Sequence, residues 1–419
     1  LLACSHGRCL AQYRDQIEAK GGIVLAIDGA KPEKGQPGLY LFRDALTGCR
    51  LHAAVLYSAD TTSIVQELQV VATLGLPIQA VISDDEKATV AAVARLWPDT
   101  PHGLCHTHFL KAVQKPIYEA DRQLATTLRK PLRALNQIER LSRQTPELMD
   151  CLSAGQKQAL DRYLAALRAV LLTKGQSPFR LVGTTIFERL AQLTASLNQS
   201  HSQQAHPVLA RLQQLTQPYQ VYQADYERIQ RQQEWFLGLA DLLNVATTGI
   251  HQWATQTGAE VAQAVDDYLH SLAGLRDELT EDAALFDHMQ RCTARWAAGL
   301  YWTYEISALP RTNNDLETDI GDIKEQYRRI TGRRTLKDYL MRYGPYLAFD
   351  DEQFDSKELQ QWFAEVEPQE FVNEKARLEA IREKLRNMQR FRQDPLAFLA
   401  ETERLWADSD LPVCGFCGH

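Results

Sequence analysis

The plainest pattern in the chain lies at residues 22–29, where Ile23, Val24, Leu25, Ala26 and Ile27 run unbroken between Gly22 and the pair Asp28-Gly29. A run this short, bounded by glycine, predicts a strand buried on both faces and ended by an acid. A carboxylate there needs a cation, a metal or a set of donors, because an isolated buried charge is costly. It also suits an ordinary strand-end Asp that caps the turn through Lys31-Pro32. A short polar helix over 10–20 precedes this strand. Residues 38–44 and 50–57 alternate or run apolar around the tight turn 45–48, predicting two more strands joined as an antiparallel hairpin. Asp60 then caps a helix with Ile64, Leu68, Val71 and Ala72 on one face, closed by Gly75 and Pro77. Residues 78–84 repeat the opening pattern, an apolar strand ending on Asp84, followed by a helix over 87–97, a short strand over 102–105 and a helix from His106. With the order β-β-β-α-β-α-β-α, a right-handed crossover would set the strand of Asp84 parallel to that of Asp28, with both acids at the carboxyl ends.

From about 118 to 292 strand signals vanish and helical periods take over. Leu164, Leu167, Val170 and Leu171 mark one face, and Val261, Val265, Tyr268, Leu272, Leu275 and Leu279 another. Breaks fall at 175–178 and 202–207, and the Gln-rich stretch 212–233 reads as solvated helix surface. After Asp351, Leu378, Ile381, Leu385 and Met388 recur at the spacing of a helix-pair seam. Between these blocks Pro310 to Thr318 opens a helix, with Thr312 and Asp315 at capping-box spacing and Glu317 in the first turns. No internal repeat is visible.

A length of 419 residues implies two or three domains. The net charge of −7 argues against wholesale nucleic-acid binding. Locally the sign reverses: Lys324, Arg328, Arg329, Arg333, Arg334 and Lys337 stand against Glu325 alone, a patch whose natural ligand is phosphate, with a solvated helix face and salt bridges as the alternative. Cys49, Cys105, Cys151 and Cys292 are isolated, as in a reducing cytoplasm rather than a disulfide framework. No signal peptide opens the chain, and no apolar run is long enough to span a bilayer. The chain begins at Leu1 in what reads as mid-helix, so an upstream segment, with any DNA-reading domain, is expected to be missing.

Two acids at parallel strand ends and a third on a helix beside a basic patch are what two-metal phosphoryl transfer requires, with cations about 4 Å apart bridged and flanked by carboxylates. Hard oxygen ligands select Mg²⁺ or Mn²⁺. On Ile27-Asp28-Gly29, on Val81-Ile82-Ser83-Asp84 before a helix ending in Trp97-Pro98, on the CxxH of Cys105-His106-Thr107-His108, and on Thr312-Asn313-Asn314 before Glu317, the chain resembles the DDE transposases of Mutator-like and related bacterial insertion-sequence type. The resemblance covers about 23–112 and 296–340. It implies an α/β RNase H-like core, a mixed five-stranded sheet with flanking helices, interrupted by a large all-helical insertion and followed by C-terminal helices. The expected domains are a helical lead-in over 1–22, the core over 23–117 and 296–350, the insertion over 118–295 and a C-terminal helical region over 351–419. The resemblance further implies that Asp28, Asp84 and Glu317 bind two Mg²⁺ or Mn²⁺ ions, although Asp85 stands where relatives often have glycine and competes with Asp84 as the ligand. Its partners would be double-stranded DNA, at transposon ends and target, and further copies of itself in a homo-oligomer, without a membrane. The place would be the bacterial cytoplasm, on the nucleoid when bound. A transposase-derived DNA-binding protein that no longer cuts, and an RNase H-like nuclease that cuts without joining, are the alternatives.

Weaker signals remain. Cys105 and His108, with His102 and His106, read as a hydrogen-bonded structural cluster behind the site rather than zinc ligands. Cys4, His6 and Cys9 with Cys414, Cys417 and His419 have better zinc spacing but sit at opposite chain ends. Trp235, Trp253, Trp296 and Trp302 are candidates for stacking on a base, with core packing as the ordinary use of tryptophan. The helix 118–143, with Arg122, Arg129, Lys130, Arg133, Arg140 and Arg143, either helps to hold DNA or is a solvated face.

Overall fold

The computed structural model describes residues 14–30, 38–56, 58–144, 149–244, 256–306, 309–332, 386–387 and 389–407. They form a five-stranded mixed sheet with flanking helices, and most of them are helical. The chain divides into two compact units, Leu1–Lys115 with Trp235–Gln353, and Pro116–Glu234 with Phe354–His419.

The first unit holds the sheet. Strands β1 (Ile23–Ala30), β2 (Gly38–Asp44), β3 (Arg50–Leu56), β4 (Ile78–Ser83) and β5 (His102–Leu104) lie in the order β3-β2-β1-β4-β5. The pairs β1–β2 and β2–β3 are antiparallel; β1–β4 and β4–β5 are parallel, with Ala26 opposite Ile82. Side-chain alternation assigns each face a different cover. Ile23, Leu25 and Ile27 pack with Ile64 and Leu68 of α1 (Thr61–Ala72) and with Ala92 and Val93 of α2 (Lys87–Leu96). Val24, Ala26 and Ile82 pack on the other face with Leu316, Ile320, Ile323 and Tyr327 of a later helix. The second set fixes the face on which Asp28 must lie.

The β2–β3 turn is tied to the sheet by a buried carboxylate. Asp44 accepts from Val24 N–H (3.0 Å), Leu46 N–H (3.1 Å), Thr47 N–H (3.1 Å) and the Thr47 hydroxyl (2.6 Å), so its charge is met by donors on every side. Asp60 caps α1 as expected, accepting from Ser63 N–H at 2.9 Å. The helix α3 (His106–Leu132) begins directly after β5, and its first turns belong to this unit.

The second unit is helical. Past Pro116, α3 is followed by α4 (Leu135–Gln144), α5 (Ala154–Leu171), α6 (Gly183–Gln203), α7 (Pro207–Thr216) and the first half of α8 (Gln223–Leu242). The buried Asp121 of α3 caps α6 from a distance, accepting from Val182 N–H (2.7 Å) and Thr184 N–H (2.9 Å). The C-terminal α13 (Pro395–Ala407) packs on α5 and α6 through Phe398, Leu399 and Trp406, with Glu401 paired to Arg162 at 2.9 Å.

This division departs from an insertion running to 295. The helices α9 (Gly258–Ala273), α10 (Ala283–Leu300) and the short α11 (Trp302–Glu305) group with the sheet, because the end of α10 lies on β5. A methyl at Gly299 would meet the Leu104 side chain at 2.5 Å, and Trp296 packs at a tilt against Phe109 with centroids 5.8 Å apart. The C-terminal helix likewise belongs with the helical unit rather than standing alone. Leu378, Ile381, Leu385 and Met388 lie outside the described residues. No described helix is long and apolar enough to cross a membrane.

Candidate functional site

Two residues beyond the Ala26–Ile82 pair on neighbouring parallel strands stand Asp28 and Asp84, the latter just past the end of β4. Strands paired in this way run about 4.8 Å apart, so the two carboxylates spring from adjacent points at the same edge. Asp28 is half-buried and accepts from the N–H of Gly29 at 2.7 Å. Gly29 is required by its cross-strand neighbour, since a Cβ there would lie 2.7 Å from the ring of Tyr40. Asp84 accepts from Glu86 N–H at 3.2 Å, and its carbonyl receives the Ser83 hydroxyl at 2.8 Å. Asp85 turns elsewhere, to Arg295 of α10 at 2.5 Å.

Burial pushes the Asp28 carboxyl up from 3.8 to about 7. The negative charges of Asp84 and Glu317 add to that rise, while the Gly29 bond and Lys111 oppose it. The other two acids singled out in the sequence thus both act on Asp28. Tyr40 completes this edge: its buried hydroxyl donates to Glu86 at 3.3 Å, and burial followed by the charge of Glu86 pushes its ionisation upward.

Glu317 sits in the first turn of α12 (Asn314–Thr331), whose buried stripe Leu316, Ile320, Ile323 and Tyr327 contributes on the order of 2 kcal/mol per side chain. The capping residue is Asn313 rather than Thr312, and its side chain makes no cap hydrogen bond. It donates instead to the Ile27 carbonyl at 3.0 Å, one residue before Asp28. The Asn313 N–H meets the thiol sulfur of Cys105 at 3.3 Å, His106 N–H donates to the Arg311 carbonyl at 2.9 Å, and the Thr107 hydroxyl donates to Asn314 at 3.1 Å. The CxxH segment and the Asn-Asn segment therefore interlock, and together they fix the start of α12 against β1. Further along, Asp319 pairs with Arg43 of β2 (3.2 Å) and Arg50 of β3 (3.3 Å).

Burial pushes the Cys105 thiol up to about 11 and the His102 and His106 imidazoles down to about 4, which suits neutral, hydrogen-bonded core groups. His102 meets the Ser83 hydroxyl at 2.8 Å, and His106 meets the Leu300 carbonyl at 2.8 Å. The His108 backbone N–H is directed at the Cys105 thiol, while its ring faces Glu317 at 3.4 Å. Lys111, one helical turn on, binds both Glu317 oxygens at 3.0 and 3.1 Å.

Among the described residues no three His, Cys, Asp or Glu side chains are gathered closely enough to hold a metal ion. Glu317 is engaged by Lys111 and His108 instead. The donor chemistry nevertheless fits a hard divalent cation: Asp28, Asp84 and Glu317 are all carboxylates, and their mutual repulsion at Asp28 is what such a cation relieves.

Of the expected basic residues, Lys324, Arg328 and Arg329 are exposed on the last turns of α12, where Glu325 takes Arg329 at 2.7 Å and Arg328 at 3.7 Å. Arg333, Arg334 and Lys337 lie outside the described residues, as do Trp253, Cys4, His6, Cys9, Cys414, Cys417 and His419. Trp296 is core, Trp235 packs on Phe286, and Trp302 is exposed. Lys111, Arg295, Tyr40 and Glu86 were not expected at the site. Lys111 follows His108 at i+3, a spacing that puts both on one helix face; Arg295 is joined to Asp85 across more than 200 residues, and nothing local signals it. Compared with known proteins, the chain matches no protein-family model and no curated protein.

Proposed function

We propose that the chain is a DNA transposase of the DDE type with an RNase H-like core, cleaving and joining phosphodiesters at Asp28, Asp84 and Glu317. One observation carries this reading: the parallel pairing of β1 and β4 brings Asp28 beside Asp84, and the charge of Glu317, delivered by α12, reaches the same Asp28 carboxyl. The mixed five-stranded sheet, with acids at adjacent strand ends and the third acid on a helix after a long helical stretch, supports the same reading. Two Mg²⁺ or Mn²⁺ ions, when bound, would supply charge neutralisation at the attacked phosphate and lower the pKa of the attacking water. The chain's own part is to hold them with the oxygens of Asp28, Asp84 and Glu317. The pairing of Asp85 with Arg295 supports Asp84 as the acid of the pair that serves the site. Lys324, Arg328 and Arg329 offer cations to a DNA backbone. Action on two transposon ends calls for a homo-oligomer.

The test is incubation with duplex DNA carrying the terminal sequences that flank the coding region, in Mn²⁺ and in EDTA. Nicked and joined products in Mn²⁺, absent in EDTA and in Asp28→Asn, Asp84→Asn and Glu317→Gln, are expected. Cleavage without joining would identify an RNase H-like nuclease instead. Binding without cleavage would identify a transposase-derived DNA-binding protein, a reading favoured by the ties of Glu317 to Lys111 and His108.

A further inference from the structure

We propose that Lys111 is a positioning residue that competes with a divalent cation for Glu317, holding the third carboxylate in reserve until metal displaces it. The inference rests on the metal-binding reading of Asp28, Asp84 and Glu317 and adds to it a residue that no motif marks.

The geometry is specific on three counts. Lys111 Nζ contacts both Glu317 oxygens, at 3.0 and 3.1 Å, and His108 Nε2 lies 3.4 Å from one of them, so the carboxylate is already engaged by side chains of the chain itself. The backbone of Lys111 is fixed: α3 is anchored to the start of α12 by His106 N–H on the Arg311 carbonyl (2.9 Å) and Thr107 on Asn314 (3.1 Å), and Phe109 and Leu110 are wholly buried. The ammonium is not fixed. It rides on a flexible four-carbon stem, and the Lys111 and Glu317 side chains keep 33% and 31% of their surface exposed, so solvent and ions reach the pair. A rigidly delivered but mobile positive charge beside Asp28, Asp84 and Glu317 does in part what a metal would do, by screening carboxylate from carboxylate. It must let go of Glu317 before that residue can serve as a ligand.

The consequence is a sign that structural support cannot mimic. If Lys111 merely props up the site, removing it weakens metal binding; if it competes, removing it tightens binding. Calorimetric titration of the full chain with MnCl₂, without DNA, compares wild type, Lys111→Gln, Lys111→Met, Lys111→Arg and Asp28→Asn. The uncharged variants are expected to bind Mn²⁺ roughly three- to tenfold more tightly than wild type, because a partly exposed ion pair and one nearby positive charge are lost. Lys111→Arg, which keeps the charge, should stay near wild type. Tight binding by Lys111→Gln or Lys111→Met with none detectable in wild type would support the same competition. Wild-type binding that is abolished by Asp28→Asn but equal or weaker in both uncharged variants overturns the role of Lys111 and leaves the metal site standing. Absence of binding in wild type and in every Lys111 variant overturns both.

Discussion

Replacing Asp28 with Asn should make the metal-free protein more stable above pH 7. The folded-state carboxyl titrates near 7 against 3.8 for an ordinary aspartate, so between these values the folded chain keeps a proton that the unfolded chain has lost. Stability present at low pH is therefore lost as pH rises through about 7. Asn stands in for the protonated acid and keeps the oxygen that accepts from Gly29. The penalty it removes is close to zero below pH 4, grows between 4 and 7 and is complete above 7. At about 1.4 kcal/mol per tenfold change in ionisation, the ceiling is about 4 kcal/mol. Asp28 is only half-buried, and solvent screening halves this to about 2 kcal/mol, or roughly 4–8 °C in melting temperature. Thermal melts in EDTA at pH 5 and pH 8 measure it, with a larger gain expected at pH 8. Millimolar Mn²⁺ should reverse the order, stabilising wild type and leaving the variant behind. A melting-temperature difference that is the same at both pH values would refute the reasoning, since Asp28 would then carry no penalty of ionisation in the fold.

Three further outcomes follow from particular contacts. Asn313→Ala leaves the Ile27 carbonyl without its side-chain donor and loosens the start of α12, a loss of about 1–3 kcal/mol in urea unfolding, with a larger fall in Mn²⁺ affinity than its neighbour Thr312→Ala gives. Gly29→Ala forces a methyl to within 2.7 Å of the Tyr40 ring and should cost about 1–3 kcal/mol in the same assay, whereas Gly321→Ala, which meets nothing within 4 Å, should not destabilise. Asp319→Ala releases Arg43 and Arg50 from α12, and should lower stability by about 1 kcal/mol and cleavage by more than that loss explains, because Glu317 shares the helix.

Much of the sheet was legible because each strand carries its own local signal. The run 23–28, the hairpin around 45–48 and the repeat of the same pattern at 78–84 each sit where a strand was expected, and the parallel pairing of β1 with β4 follows from handed crossovers. The helix bearing Glu317 was also visible, but its cap was not. Thr312 has the right spacing, yet Asn313 takes the position while spending its side chain on Ile27, a partner 286 residues away that no local pattern contains. The grouping of the later helices with the sheet was hidden for a related reason. Helical periodicity is the same over 154–171 and 283–300, and what assigns α10 to the sheet is a glycine fitting against Leu104 and a tryptophan against Phe109. Asp28 and Asp84 are marked locally by the apolar runs they follow, whereas Lys111 and Arg295 look like ordinary solvated helix residues until their distant partners Glu317 and Asp85 are in place.

The proposal that Asp28, Asp84 and Glu317 together hold divalent cations is tested most directly by anomalous scattering from crystals of the chain soaked in Mn²⁺. Peaks within about 2.2 Å of oxygens of Asp28, Asp84 and Glu317, with Glu317 drawn away from Lys111, are the predicted result. Manganese bound elsewhere or not at all, with Glu317 still on Lys111 and His108, would contradict it.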